Sequence, residues 1–184
     1  MRLFTAVTLG ADIEARVSTA MKPLRSLAST ARFVRVEGLH LTLVFLGEVT
    51  SDRLPAIREA LESVGPRHAP FTLSVGEGGT FGPPTHPRVL WADVQGDTEA
   101  LKALQADTAA QLRPLGFEPD FHEYAPHLTL ARSKESRGEP SFLKCVDALK
   151  GQTLGEGLVD RLILFESQGP QYLSVAEVSL SRER

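Results

Sequence analysis

His40-Leu41-Thr42-Leu43 recurs whole as His127-Leu128-Thr129-Leu130. A four-residue identity at this distance within one chain reads as an internal repeat. Each copy places an imidazole and a hydroxyl two residues apart. On a β-strand that spacing puts both on one face and the leucines on the other. Two such faces meeting across a cleft hold two histidines and two threonines around one substrate group. Packing accounts for the leucines but gives no reason for a polar His/Thr face to occur twice.

Outward from the repeats, short β-rich runs alternate with helical ones. Leu3–Leu9 reads as a strand, and Asp12 can cap a helix through about Leu27. Phe33–Val36 and His40–Leu46 read as strands joined by a turn at Glu37-Gly38. A helix is expected over Leu54–Val64, with Pro55 in its first turn. Pro70–Val75 reads as a strand, and Gly76–Pro87 as a Gly/Pro-rich loop that rims the cleft. Arg88–Val94 is a strand, Thr98–Leu115 a helix, Pro126–Ala131 a strand and Phe142–Leu149 a short helix. Leu158–Phe165 and Tyr172–Leu180 close the chain as two strands. Several connections are too short for parallel crossovers, so the pairing is expected to be antiparallel. The pattern is α+β: one bilobal domain over 1–184, with two related lobes of roughly ninety residues each and helices on the outer sheet faces.

Composition narrows the class. Of 184 residues, 42% are hydrophobic and 23% charged, the balance of an ordinary globular domain. A net charge of −3 argues against a uniformly basic nucleic-acid coat and leaves a local patch or a nucleic-acid end as the route to such a ligand. Cys145 is the single cysteine, so no intramolecular disulfide and no Cys-rich zinc site is possible. The apolar stretches are strand-sized, and the opening Met1-Arg2-Leu3-Phe4 is not a signal-peptide pattern. A cytoplasmic, non-membrane monomer is expected.

Two histidines in one cleft can hold opposite protonation states near neutral pH. The neutral ring accepts a proton from a nucleophile, and the charged one donates to a leaving oxygen. Threonine hydroxyls at the same level can donate to non-bridging phosphoryl oxygens. The combination fits phosphodiester chemistry without a metal, since no acidic residue flanks either histidine.

With these residues in view, the chain resembles the RNA 2′,3′-cyclic phosphodiesterases, also called 2′–5′ RNA ligases, of the 2H phosphoesterase superfamily. The resemblance rests on Arg2-Leu3-Phe4-Thr5-Ala6, Gly38 to Gly47, Pro87-Arg88-Val89-Leu90-Trp91, Pro126 to Arg132 and Leu164-Phe165-Glu166-Ser167. It implies a bilobal pseudo-symmetric fold with two mainly antiparallel sheets lining a central cleft. It also implies hydrolysis of RNA or nucleotide 2′,3′-cyclic phosphate ends to 2′-phosphomonoesters, without a cofactor. Carried over, His40 is the proton donor to the 3′ oxygen, His127 the base acting on water, and Thr42 and Thr129 hold the phosphate. Arg132 matches a basic residue near the substrate. Ala125 stands where members often carry a basic residue, and Tyr124 where phenylalanine is common. The alternatives are reversible 2′–5′ ligation at the same site and a non-catalytic RNA-end or nucleotide binder.

Other residues read more plainly. His122 is a connector residue, and His68 and His86 lie in polar or Pro-rich loops; together they show no recognised zinc spacing. Phe81 and Trp91 are candidates to stack a base, Trp91 being also a core candidate. Arg32 and Arg35 can steer phosphate or serve as ordinary surface charge. Cys145 fits a buried apolar position.

Overall fold

A computed structural model describes residues 1–119 and 123–182. Strand β1 (Arg2–Val7) is buried along nearly its whole length, as its unbroken Leu-Phe-Thr-Ala-Val run requires of a strand covered on both faces. It lies between β3 (Leu41–Glu48) and β8 (Arg161–Gln168), and β9 (Gln171–Ser179) completes a four-stranded sheet in the order β3-β1-β8-β9. The second sheet has five strands. They are β2 (Arg32–Phe33), β4 (Phe71–Phe81), β5 (Val89–Gly96), β6 (His127–Arg132) and β7 (Thr153–Val159), in the order β2-β6-β5-β4-β7. Every adjacent pair is antiparallel. The first repeat lies on the four-stranded sheet and the second on the five-stranded one.

Helices α1 (Ala11–Leu27) and α4 (Phe142–Leu149) pack on the five-stranded sheet; α2 (Leu54–Glu62) and α3 (Thr98–Leu112) pack on the other. Their apolar faces, with Ile13, Val17, Met21 and Leu24 on α1 and Leu101, Leu104 and Leu112 on α3, are buried. No helix among the described residues is long and apolar enough to cross a membrane.

Four expectations are corrected. The two lobes are not successive ninety-residue halves: the four-stranded sheet takes β1 and β3 from the start of the chain and β8 and β9 from its end, and the five-stranded sheet takes the strands between, with β2 inserted ahead of β3. The run Gly76–Phe81 is strand, not loop. The chain does break at Glu77, where φ reaches 57° and the register with β5 shifts, but pairing resumes at Gly78. Gly79 sits opposite Trp91, and a Cβ there would lie 2.3 Å from the indole ring, so only glycine lets that ring cover the strand. The expected strand Leu158–Phe165 is two strands on different sheets, broken at Asp160, and β7 begins at Thr153. In β7, Gly157 passes so close to the backbone that a Cβ would meet the Leu9 carbonyl oxygen at 2.0 Å. The remaining shift is smaller: the expected strand Phe33–Val36 keeps only Arg32–Phe33, and Val36–Gly38 coils into a 3₁₀ turn.

Both repeat strands carry a β-bulge at the same place. Thr5 pairs with Val44 and Ala6 with Thr42, skipping Leu43. Leu90 pairs with Ala131 and Trp91 with Thr129, skipping Leu130. Five residues along a regular strand would reverse the face; the skipped residue restores it. Phe45 therefore shares the face of His40 and Thr42, and Arg132 that of His127 and Thr129. The first bulge is held from the neighbouring strand. The Val44 N–H donates to Thr5 Oγ1 at 3.1 Å, and that buried hydroxyl donates in turn to the Val44 carbonyl at 3.4 Å. A threonine thus occupies an otherwise apolar strand interior because the bulge frees a backbone donor that needs a partner.

Candidate active site

A cleft of about 970 Å³ opens between the two sheets, and His40, Thr42, His127, Thr129 and Arg132 all line it. His40 immediately precedes β3, and His127 is the first residue of β6. Each ring is pinned in the same way. His40 Nδ1 donates to the Gly38 carbonyl at 2.6 Å, and His127 Nδ1 to the Ala125 carbonyl at 2.9 Å. A carbonyl can only accept, so Nδ1 carries the proton in both rings. In the neutral form Nε2 is then left as the acceptor, and in the charged form as a second donor.

The two surroundings differ. Around His40 stand Phe4, with ring centroids 4.9 Å apart, and Tyr172, edge-on at 4.9 Å and 79°. Burial in this nest holds the His40 pKa below its ordinary value. The hydrogen bond to Gly38 opposes that shift, and the charge of Arg132 adds to it. Arg132, itself exposed, is thus felt across the cleft by the histidine of the other sheet. Among the described residues His127 has a single aromatic neighbour, Phe81, edge-on at 4.8 Å and 88°.

Three further residues complete the cleft. Phe45 is 65% exposed and lines it, although nothing in its immediate sequence marks it. The signal that could have found it is the repeat itself: Phe45 stands five residues after His40, as Arg132 does after His127. Tyr172 also lines the cleft, from β9. Tyr124 donates its hydroxyl to the Thr42 carbonyl at 2.9 Å. The bond ties the segment leading into the second repeat to the strand of the first. Burial pushes the Tyr124 phenol well up, which keeps it a donor.

Of the other candidates read from the sequence, Phe81 lines the cleft, and His68 and His86 do not. His68 Nε2 is 2.8 Å from Asp107 Oδ2, in a cluster where Arg67 makes two further bonds to that carboxylate. His86 pairs with the Thr85 hydroxyl on the exposed loop after β4. His122 lies outside the described residues. Among the described residues, no group of three or more His, Cys, Asp or Glu is placed to hold a metal ion. Phe81 reaches the cleft, whereas Trp91 lies behind it on Gly79, packed against Phe81 at 5.3 Å. Cys145 is buried, and desolvation raises its thiol pKa to about 11.

A family model described as the 2′-5′ RNA ligase superfamily matches residues 13–171. The chain belongs to this superfamily. Among curated members, it is 35% identical over 176 residues to an RNA 2′,3′-cyclic phosphodiesterase of Archaeoglobus fulgidus, covering 94% of this chain and 96% of that protein. It is 30% identical over 176 residues to one of Methanothermobacter thermautotrophicus, covering 94% and 95%. Among solved structures, a Thermus thermophilus protein superposes with a TM-score of 0.78 at 27% identity, with both chains covered completely. Escherichia coli LigT complexed with 3′-AMP shares the fold, with a TM-score of 0.74 at 23% identity over 98% of each chain. The α+β architecture of two mainly antiparallel sheets flanked by helices is thus the superfamily's own.

Proposed function

We propose that this member hydrolyses the 2′,3′-cyclic phosphate at an RNA end, or on a free nucleotide, to a 2′-phosphomonoester, with His40 and His127 as its acid–base pair. The observation that carries the reading is the paired pinning of Nδ1, which leaves two Nε2 atoms for one cleft. The curated relatives, similar over nearly their whole length, are RNA 2′,3′-cyclic phosphodiesterases.

In this reading a water molecule attacks phosphorus from the His127 side, the less enclosed of the two. Nε2 of His127 takes the water proton as the new P–O bond forms. The P–O3′ bond breaks, and the charged His40 gives its Nε2 proton to the departing 3′ oxygen, so the product keeps its phosphate on the 2′ oxygen. Thr42 and Thr129 donate to the non-bridging oxygens, whose charge grows toward the transition state. The anionic substrate beside His40 favours its protonated form and opposes the effect of burial, so binding itself arms the donor. Arg132 adds positive charge, and Phe45 and Tyr172 offer exposed rings on which a base can stack. No step calls for a metal. His40, Thr42, His127, Thr129 and Arg132 all come to the cleft from one chain, which supports a monomer, and the interleaved strands support one bilobal domain over 1–184. The lone buried thiol suits a reducing compartment such as the cytoplasm.

The test is incubation with an oligonucleotide ending in a 2′,3′-cyclic phosphate, in EDTA. The expected result is undiminished conversion to a phosphatase-sensitive 2′-monoester. A 3′-monoester, or activity abolished by the chelator, contradicts the reading.

A further inference from the structure

β2 is the outermost strand of the five-stranded sheet, and its pairing sets Arg32 directly opposite Arg132 and Phe33 opposite Ala131. Residues directly opposite in an antiparallel pair share a face. Ala131 is fully buried, so its face is the core, and both arginines lie on the other one. Val34, two residues after Arg32, lines the cleft and identifies that other face as the cleft's. Arg32 therefore continues the row His127, Thr129, Arg132 sideways, about 4.8 Å farther out, onto the edge strand. Like charges directly opposite each other destabilise a strand pair unless an anion lies between them. The arginine–carboxylate ion pairs among the described residues are made by Arg67, Arg113, Arg137 and Arg161, not by these two. On the opposite wall the position equivalent to Arg132 is Phe45, and the arginine that lines the cleft from that wall, Arg2, stands on β1 opposite Glu48.

We propose that Arg32 and Arg132 form a second phosphate site. It takes the phosphodiester on the 5′ side of the terminal nucleotide while the cyclic phosphate lies between the histidines. The proposal rests on the hydrolytic reading above and narrows its substrate: an oligonucleotide end is preferred to a free cyclic nucleotide. One phosphodiester has acceptor lone pairs enough for two guanidinium forks. The arrangement also gives the bound strand a direction. Its backbone leaves along the β2–β6 wall, and its terminal base leans toward Phe45.

The experiment compares wild type with Arg32→Ala and Arg32→Lys on a dinucleotide and a mononucleotide that share the same cyclic-phosphate-bearing base. The expected result is a fall of about fivefold or more in the ratio of kcat/KM, dinucleotide over mononucleotide, for Arg32→Ala, partly restored in Arg32→Lys. In parallel, anisotropy of a labelled tetranucleotide ending in a 2′-phosphate should show weaker binding, with a log–log salt slope shallower by about 0.7. An unchanged ratio with an unchanged salt slope overturns the second site, as does an equal loss on both substrates. Should wild type hydrolyse neither substrate, the catalytic reading fails, and the salt slope of Arg32→Ala alone decides the second site.

Discussion

His40→Ala and His127→Ala are each expected to lower kcat/KM on a cyclic-phosphate end by about 10²–10⁴-fold, and the double substitution to be little worse than either single one. In the proposed mechanism both protons move in one step across one phosphorus; with either carrier gone, the other has nothing to work with. Activity requires one ring neutral and one charged, so kcat/KM follows a bell in pH. On its acid limb both rings are protonated, and the first proton to leave with rising pH comes from the ring with the lower pKa. Burial and Arg132 depress that of His40, so the limb is expected below 6.5, the ordinary histidine value. Arg132→Gln removes one of the depressing charges and should move the limb to higher pH, besides weakening binding. Full activity in either alanine variant, measured by steady-state kinetics, would remove that histidine from the mechanism.

Thr42→Val and Thr129→Val should each lower kcat by about 10²-fold while leaving the fold intact, and Thr→Ser should restore most of the loss. Valine keeps the shape and the β-branch that suits a strand and deletes only the hydroxyl. Both threonines are only half-buried, so a missing hydroxyl strands no deeply buried partner. The loss belongs in kcat more than in KM, because the non-bridging oxygens gain charge after the substrate is bound. Equal change in KM with kcat untouched would make these threonines ground-state anchors only.

The repeats made the core of this site legible before any coordinates. Identical spacing in two strand-like runs was sufficient to bring His40, Thr42, His127 and Thr129 to one cleft, because strand periodicity is local. Helix α4 begins and ends where its pattern says, at Phe142 and Leu149. What stayed hidden depends on distant partners. The strand through Gly76–Phe81 reads as a loop because its glycines answer to distant partners: Gly76 to the Gln152 carbonyl, Gly78 to Leu149 and Gly79 to the Trp91 ring. The bulge that turns Phe45 into the cleft is held by Thr5, 39 residues away in sequence. The Tyr124–Thr42 bond spans 82 residues. Asp160, where β7 passes into β8, carries no Gly or Pro to announce that the chain changes sheets there.

The division of labour between the two histidines can be tested at the leaving atom. A 2′,3′-cyclic phosphate with sulphur replacing the 3′ bridging oxygen has a thiolate leaving group, which needs little protonation because a thiol pKa is about 8.5. The quantity to measure is the single-turnover rate of each alanine variant relative to wild type on the oxygen and the sulphur substrate. If His40 delivers the proton to the 3′ position, His40→Ala regains most of its lost rate with sulphur and His127→Ala does not. Equal deficits on the two substrates, or recovery in His127→Ala instead, would contradict the placement of donor and base on the two sides of one phosphorus.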